Sequence, residues 1–366
     1  GGRERERGGQ EKSGKTGGGG KVREEKAGEG RRRQAERMAT SEGPSENVGS
    51  ATSRTSNASV VKAAIIQARP VPFETDASLD KLADLVADAA RAGATVVTAG
   101  ETFLPGYPAW IDSCPGAAIW DDPAAKEVFA AYRRESIVIG SPREQRLAAI
   151  ARENKVTLVV GVSERVDVGP GNGTLYNALL TYTPAGELAV HHRKLGPTYT
   201  EKLIWGPGDG HGLESAAFEG GRVGGLICWE HWMPLARHAM HEASESVHVA
   251  VWPTVHDRHV VASRSYAFEA RCFVLAAGQI QAAGDLPASL ARIESLADDA
   301  ALVNRGGSCI INPRGEIISE QVWDAEAIIH AECDLSMIDG ERMTLDVTGH
   351  YARPDVLRLQ VDRDRR

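Results

Sequence analysis

Cysteine pairs and long apolar runs are missing from this sequence, and each absence excludes a class of protein. No C-x-x-C pair occurs, and the cysteines are odd in number and far apart, at Cys114, Cys228, Cys272, Cys309 and Cys333. A disulfide framework or a zinc ribbon is therefore not expected, and the spacing is typical of a reducing compartment. No apolar run approaches the roughly 18 residues of a membrane span, and no apolar stretch follows the charged N-terminus as in a secretory signal. We expect a cytoplasmic protein with no membrane partner.

Positive charge is also scarce outside the N-terminus. The 366-residue chain has a formal net charge of −8, but its first 37 residues contain 12 Lys or Arg and 7 Asp or Glu, a balance of +5. The remainder therefore carries −13. An acidic body lacks the basic surface that binds phosphate backbones, so no nucleic-acid partner is expected.

The N-terminal residues have almost no aliphatic side chains. Residues 1–58 consist mainly of Gly, Arg, Glu, Lys and Ser, which cannot bury enough surface to offset the entropy of ordering. This composition predicts a disordered tail at 1–58 and one folded domain at 59–366. Residues 9–16 match the phosphate-loop pattern, but no buried strand precedes them and no apolar helix follows, so we interpret the match as chance.

From Val60 onward, apolar strands alternate with amphipathic helices. Two strands joined by Pro184-Ala185-Gly186 read as a hairpin, and a further hairpin turns at 312–315. This mixture predicts an α/β layered sandwich rather than a purely parallel sheet. Strands are predicted at 60–68, 94–98, 156–161, 175–183, 188–193, 222–227, 247–252 and 272–277, and helices at 75–92, 123–135, 143–154, 233–243 and 259–271.

One cysteine stands where a nucleophile is expected. The apolar run at 224–227 ends abruptly on Cys228, which bulky and charged residues follow. Reactive groups gather outside the carboxyl ends of strands in α/β proteins. A thiol attacks well only when a base or a nearby positive charge favours the thiolate, so partners are required elsewhere in the chain.

Two other strand ends carry suitable partners. Glu101 lies just beyond the strand at 94–98 among Gly, Phe, Leu and Pro, and partial burial there would raise its pKa toward that of a useful base. Lys194 closes the strand at 188–193, where an ammonium group can stabilise developing negative charge. Glu201 follows seven residues later and can orient Lys194, assist a water molecule or simply be a surface acid.

Other sites are conceivable but incomplete. His238 and His241 have helical spacing that suits a metal, yet neither cysteine nor acid completes a ligand set, so no metal is expected. His256 could pair with Cys228 as in a thiol protease, but no motif supplies the orienting third residue. The glycine-rich segment 206–212 follows no strand and opens no helix in the way that dinucleotide binding requires.

Three segments together resemble the true nitrilase branch of the nitrilase superfamily. Residues 100–108, GETFLPGYP, are similar to the segment that carries the glutamate in that branch. Residues 192–195, together with Glu201 and residues 205–210, are similar to the segment that carries its lysine. Residues 228–235, CWEHWMPL, are similar to the segment that carries its cysteine. The resemblance runs from about Val60 to Val361 and includes 263–274 and 346–355. The sequence departs from the family at two places: Ala99-Gly100 stands where Phe-Pro often precedes the glutamate, and His231 stands where many members have Asn. Both positions adjoin the site, so they bear on the range of substrates more than on the type of reaction.

The resemblance implies a fold, an assembly and a reaction. The fold would be a four-layer α-β-β-α sandwich, with 59–366 as a carbon–nitrogen hydrolase domain that forms homodimers and larger homo-oligomers or spirals. Glu101, Lys194 and Cys228 would form the catalytic triad, assisted by Glu201, and would convert a small organic nitrile into the carboxylic acid and ammonia through a thioimidate and a thioester. Neither metal nor cofactor is required. The expected substrate-binding residues are Tyr107, Trp229, His231, Trp252 and Thr254.

Three alternative functions remain, of which two use the same triad. An amidase or carbamoylase would use the same triad on a carbonyl group, and a nitrile or cyanide hydratase would stop at the amide. A catalytically inactive scaffold that assembles filaments would need no intact triad. The lysine segment and the Trp-Glu-His that follows Cys228 favour the nitrile reaction.

Overall fold

A computed structural model describes residues 60–365 of the chain. The tail predicted at 1–58 and the phosphate-loop match at 9–16 therefore lie outside the described residues, and the domain boundary stays a prediction. The strands are β1 Val60–Gln67, β2 Val96–Ala99, β3 Thr157–Arg165, β4 Leu175–Tyr182, β5 Leu188–Arg193, β6 Ala216–Phe218, β7 Gly221–Ile227, β8 Val247–Val251, β9 Phe273–Ala277, β10 Ile280–Ala282, β11 Leu302–Ile311, β12 Val322–Trp323 and β13 Ala327–Asp334. The α-helices are α1 Thr75–Arg91, α2 Trp110–Ser113, α3 Pro123–Glu135, α4 Pro142–Asn154, α5 Pro234–Glu242, α6 Asp257–Ala270 and α7 Ser336–Arg342.

The strands form two mixed sheets. The six-stranded sheet has the order β13-β1-β2-β3-β4-β5, in which β1, β2 and β3 are parallel and the remaining pairs are antiparallel. The seven-stranded sheet has the order β10-β11-β9-β8-β7-β6, with β12 beside β11, and β7, β8 and β9 are parallel. Each sheet therefore has a parallel centre, whose carboxyl ends are open for functional groups.

Alternating side chains of the strands divide the core into layers. In β1, Ala63 and Ile65 join a cluster that also contains Leu226 and Val249 of the second sheet, so the two sheets pack face to face. Ala64 and Ile66, which point the other way, pack in a second cluster with residues of α1 and α4. Helices α5 and α6 contribute buried residues on the second sheet. The predicted α-β-β-α sandwich is confirmed.

Most predicted elements agree with the structure to within two residues, and both predicted hairpins are present. Strand β3 is longer than predicted because Val162 and Ser163 continue the pairing with β4. Strand β13, which pairs with β1 along its whole length, was not predicted. Its burial is partial and irregular, so the sequence carries no clear two-residue period there. No described helix is long and apolar enough to cross a bilayer.

Candidate active site

Three strand ends bring Glu101, Lys194 and Cys228 together. Glu101 follows β2 and Lys194 follows β5 in one sheet, whereas Cys228 follows β7 in the other. All three side chains are buried. The Lys194 Nζ lies 3.0 Å from Glu101 Oε1, and Cys228 Sγ lies within 4.8 Å of a carboxylate oxygen of both Glu101 and Glu201. The site therefore lies at the seam between the two sheets.

The Glu101 carboxylate is held by one oxygen and open at the other. Its Oε1 accepts hydrogen bonds from Lys194 and from Asn177 Nδ2, at 2.7 Å. Its main-chain oxygen accepts one from Gln279 Nε2, at 2.8 Å. Within residues 60–365, Oε2 has no hydrogen-bond partner. A carboxylate fixed in this way retains one oxygen that can accept a proton from a reactant.

A glycine allows the Glu101 turn to approach the neighbouring strand. A Cβ atom on Gly161 of β3 would lie 2.5 Å from Thr102 N and 2.6 Å from Gly100 O, closer than atoms can pack. The backbone also has a positive φ at Thr102, 46°, which directs the chain sharply after Glu101. The position of the carboxylate thus depends on the absence of a side chain on β3.

Lys194 is placed between two carboxylates. Its Nζ donates to Glu101 and also to Glu201 Oε2, at 2.7 Å. Glu201 is itself fixed by Tyr107 OH, 3.0 Å from Oε1, and by the Thr198 amide, 2.8 Å from Oε2. Burial opposes the charged form, but the facing thiol and carboxylates raise the pKa of Lys194 above its ordinary value. The lysine is therefore a fixed cation.

The acid and the thiol have complementary states near neutral pH. Burial, reinforced by the charge of Glu201 and opposed by Lys194 and Asn177, raises the pKa of Glu101 to about 7. Burial, followed by the charge of Glu101, raises the pKa of Cys228 well above its ordinary value. The resting thiol therefore keeps its proton, and an adjacent carboxylate is available to remove it as the sulfur attacks.

Glu230 connects the two strand ends that carry Cys228 and Lys194. Its Oε2 accepts a hydrogen bond from the Ile227 amide at 2.7 Å, and its Oε1 accepts one from the Leu195 amide at 2.8 Å. His192 Nε2 lies 2.9 Å from Oε2. Burial opposes the carboxylate, but His192 and both amides hold its pKa below the ordinary value. Glu230 is therefore an ionised link between the two sheets.

We expect Glu230→Gln to destabilise the protein by about 3 kcal/mol, because a buried carboxylate that accepts from two backbone amides is replaced by a group that can satisfy only one of them. A glutamine accepts through only one atom, so its NH₂ group would face the N–H of Ile227 or Leu195. Thermal unfolding is the measurement. Glu219→Gln, at an exposed acid, is the matched control, and equal melting temperatures for the two variants would contradict the role of Glu230.

A cavity of about 250 Å³ reaches Cys228. Of the predicted substrate-binding residues, Tyr107, Trp229 and Thr254 line it. His231 and Trp252 do not: both are buried behind the cavity, with their rings 4.8 Å apart. The lining also includes residues that the sequence reasoning did not assign to substrate, namely Asp112, Thr198, Tyr199, Thr200, His256, His259 and Asn304.

The metal hypothesis for the histidines has no counterpart among residues 60–365. The group of metal-binding side chains close enough to share an ion there is Glu101, Glu201 and Cys228, not His238 and His241. Lys194 already donates to both carboxylates of that group. An ammonium in this position supplies the positive charge that a metal would otherwise bring.

A buried cysteine beside two carboxylates and a lysine, at the seam of an α-β-β-α sandwich, is an arrangement suited to a thiol hydrolase. The chain belongs to the carbon–nitrogen hydrolase family, whose family model matches residues 62–342. Within this family, which is the nitrilase superfamily, its relatives place it in the nitrilase branch.

Two relatives illustrate this placement. An aliphatic nitrilase from Sinorhizobium fredii (strain HH103) is 39% identical over 307 residues, which are 83% of this chain and 96% of that protein. A bifunctional nitrilase/nitrile hydratase from Lupinus angustifolius is 39% identical over 313 residues, which are 83% of this chain and 87% of that protein.

Solved structures support the fold. A carbon–nitrogen hydrolase from Helicobacter pylori G27 is similar with a TM-score of 0.60 and 18% identity, covering 78% of this chain and 93% of that one. Saccharomyces cerevisiae Nit3, a member of branch 10 of the nitrilase superfamily, has a TM-score of 0.60 and 19% identity, covering 81% of this chain and 97% of that one.

Proposed function

We propose that this protein hydrolyses an organic nitrile to the carboxylic acid and ammonia, with Glu101, Lys194 and Cys228 as the catalytic residues and Glu201 assisting. The carrying observation is the buried contact of Lys194 Nζ with Glu101, beside the buried sulfur of Cys228. Relatives named nitrilases over most of the chain support the choice of nitrile.

The first half of the reaction forms a covalent adduct. Glu101 removes the proton from Cys228 as the sulfur attacks the nitrile carbon, and one C≡N π bond becomes a lone pair on nitrogen. Lys194 stabilises that nitrogen while it gains charge. The proton held by Glu101 then passes to the nitrogen, which gives a neutral thioimidate and restores the carboxylate.

The second half consumes two waters. Glu101 takes a proton from the first water as it adds to the thioimidate carbon, and the resulting tetrahedral species expels ammonia to leave a thioester. A second water then releases the carboxylic acid and regenerates the thiol. The sum is R–CN + 2 H₂O → R–COOH + NH₃. Glu201 holds Lys194 in place throughout by its hydrogen bond.

The tetrahedral species also explains the hydratase alternative. If the C–S bond breaks before the C–N bond, the product is the amide and only one water is consumed. One relative is named as a bifunctional nitrilase/nitrile hydratase, which supports formation of some amide from a nitrile. The same name gives less support to an enzyme that acts only on amides or carbamoyl groups. Substrate recognition is assigned to Tyr107, Trp229 and Thr254, which line the cavity.

The test is release of acid, amide and ammonia by purified protein from aliphatic nitriles, aryl nitriles and arylacetonitriles, and from the matching amides. We expect acid and ammonia from at least one nitrile class, with none from the Cys228→Ala protein. Turnover restricted to amides would replace the proposal with an amidase. Turnover that ends entirely at amide would replace it with a hydratase.

We further propose that the protein assembles into homodimers and larger homo-oligomers. Helices α5 and α6 expose apolar side chains, among them Leu235, Val261 and Phe268. Light scattering on the purified chain is expected to give a mass of at least twice 39.2 kDa, and a monomer at micromolar concentration would refute the assembly. The cytoplasmic location and the absence of a nucleic-acid partner stay predictions from composition.

A further inference from the structure

Four buried polar side chains form a chain behind Cys228 that the hydrolytic steps do not use. They are His231, His248 of β8, Glu245 in the connection between α5 and β8, and Tyr266 of α6. None of them lines the cavity. Burying four polar groups is costly unless each is hydrogen-bonded, so their arrangement requires an explanation.

A series of hydrogen bonds connects the four side chains to the backbone of Cys228. His231 Nδ1 lies 2.7 Å from the Cys228 carbonyl oxygen, and His231 Nε2 lies 3.0 Å from His248 Nε2. His248 Nδ1 is 2.9 Å from Glu245 Oε1. The Tyr266 hydroxyl donates to Glu245 Oε2. A continuous chain therefore runs from a tyrosine to the peptide group of the catalytic cysteine.

The carbonyl end fixes the direction of every bond. A carbonyl oxygen only accepts, so His231 Nδ1 carries the hydrogen and its Nε2 accepts in turn from His248 Nε2. His248 Nδ1 then accepts from a protonated Glu245. Burial lowers the pKa of His231 to about 3 and raises that of Glu245 well above its ordinary value, so neutral forms of both agree with this direction.

Strand β7 approaches this chain closely. A Cβ atom on Gly224 of β7 would lie 2.1 Å from Glu245 Oε1, so the carboxyl group occupies the space of a missing side chain. The His248 ring stacks on Tyr266 with centroids 3.7 Å apart. The chain is therefore a rigid feature of the second sheet.

Cys228 needs such support. Its φ is 55°, in the left-handed region, which a residue with a side chain adopts only when its surroundings enforce it. The carbonyl that His231 holds belongs to the same peptide group as the Trp229 N–H, and Trp229 lines the cavity. A donor on the carbonyl fixes this peptide plane and polarises its N–H.

We propose that the chain of His231, His248, Glu245 and Tyr266 is a positioning device that holds the Cys228–Trp229 peptide in the orientation needed for attack. It acts through Cys228 and does not touch the substrate. The proposal deepens the nitrilase assignment and rests on it for turnover, although the reactivity of the thiol can be measured without a nitrile.

The test compares Glu245→Leu with Glu245→Gln. A glutamine can donate its NH₂ to His248 and accept from Tyr266 with its carbonyl, so it keeps the chain. A leucine breaks the chain. We expect Glu245→Leu to lower kcat on the order of 10- to 100-fold with little change in KM, and to slow alkylation of Cys228 by iodoacetamide similarly. Glu245→Gln is expected to restore both to within about threefold.

A second comparison covers the case in which Glu245→Leu fails to fold. Tyr266→Phe removes one buried tyrosine–glutamate hydrogen bond, and Tyr182→Phe removes another, to Glu144, from the far side of the first sheet. We expect both to lower the melting temperature, but only Tyr266→Phe to slow turnover and alkylation. For each variant, kcat is divided by the concentration of Cys228 that can be alkylated, which corrects for misfolded protein. Equal turnover and equal alkylation rates for Tyr266→Phe and Tyr182→Phe would overturn the proposal.

The two readouts separate this proposal from the assignment of function. If the wild-type protein hydrolyses no nitrile yet its Cys228 alkylation depends on Glu245 and Tyr266, the positioning chain stands and the nitrile assignment fails. If nitrile turnover is present and insensitive to Glu245→Leu, the assignment stands and the chain fails.

Discussion

The Cys228→Ala protein is expected to lose nitrile hydrolysis by about 10⁵-fold while remaining folded. Within residues 60–365, the groups beside the sulfur are the carboxylates of Glu101 and Glu201, which are weaker nucleophiles than a thiolate and both bond to Lys194. Without the sulfur, neither thioimidate nor thioester can form, and water must attack the nitrile directly. The measurement is ammonia release over hours at high protein concentration.

A matched control is Cys333→Ala, which also removes a buried sulfur but lies in β13, the edge strand of the first sheet, where it pairs with Val61. We expect this variant to keep its activity and to melt no higher than wild type, since it leaves a small cavity. Residual turnover above about 1% in Cys228→Ala, free of contaminating wild-type enzyme, would exclude a covalent mechanism through this residue.

Glu101→Gln is expected to reduce kcat/KM by about 10²- to 10⁴-fold, the usual contribution of a general base. The amide carbonyl can still accept from Asn177 and Lys194, so the geometry is preserved while the base is lost. In the wild type the active form is the carboxylate, and its pKa is about 7. Activity should therefore rise with pH through about 7 and then level, and this rise should vanish in the variant.

The pH profile of kcat/KM from pH 5 to 9 is the measurement, with thermal melting at each pH to show that the protein stays folded. Glu144→Gln, at a buried glutamate bonded to Tyr182 rather than to the site, should keep the wild-type profile. A wild-type profile that is flat from pH 5 to 9, or a rise through pH 7 that persists in Glu101→Gln, would mean that ionisation of Glu101 does not control turnover.

Strand ends were the part of the site that the sequence could predict. Apolar runs that stop on Cys228, near Glu101 and on Lys194 indicate the carboxyl edge of a sheet, and that edge is where the three side chains lie. A polar or charged side chain buried at a strand end costs free energy, so its presence there indicates a function. The four-layer α-β-β-α order followed from a family resemblance, since the mixture of strands, helices and hairpins alone predicts only a layered α/β sandwich.

Partners within strands could not be predicted. Asn177 lies in the middle of β4 and reaches Glu101 only because β3, β4 and β5 pair in one register. Gln279 arrives from the second sheet. Neither contact has a sequence spacing that could reveal it. Trp229 and His231 were both predicted to bind substrate because they lie close to Cys228 in the sequence. Only Trp229 lines the cavity, and nothing in the sequence indicated this difference.

The division of the site between two sheets has a consequence during synthesis of the protein. A nascent chain that has paired only β1 to β5 holds Glu101 and Lys194 but lacks the Cys228 thiol, because Cys228 follows β7 of the other sheet. Reactivity arises only when the sheets dock and Glu230 connects Leu195 with Ile227. The enzyme is therefore switched on by completion of its own tertiary structure, and partly folded molecules carry an unactivated cysteine.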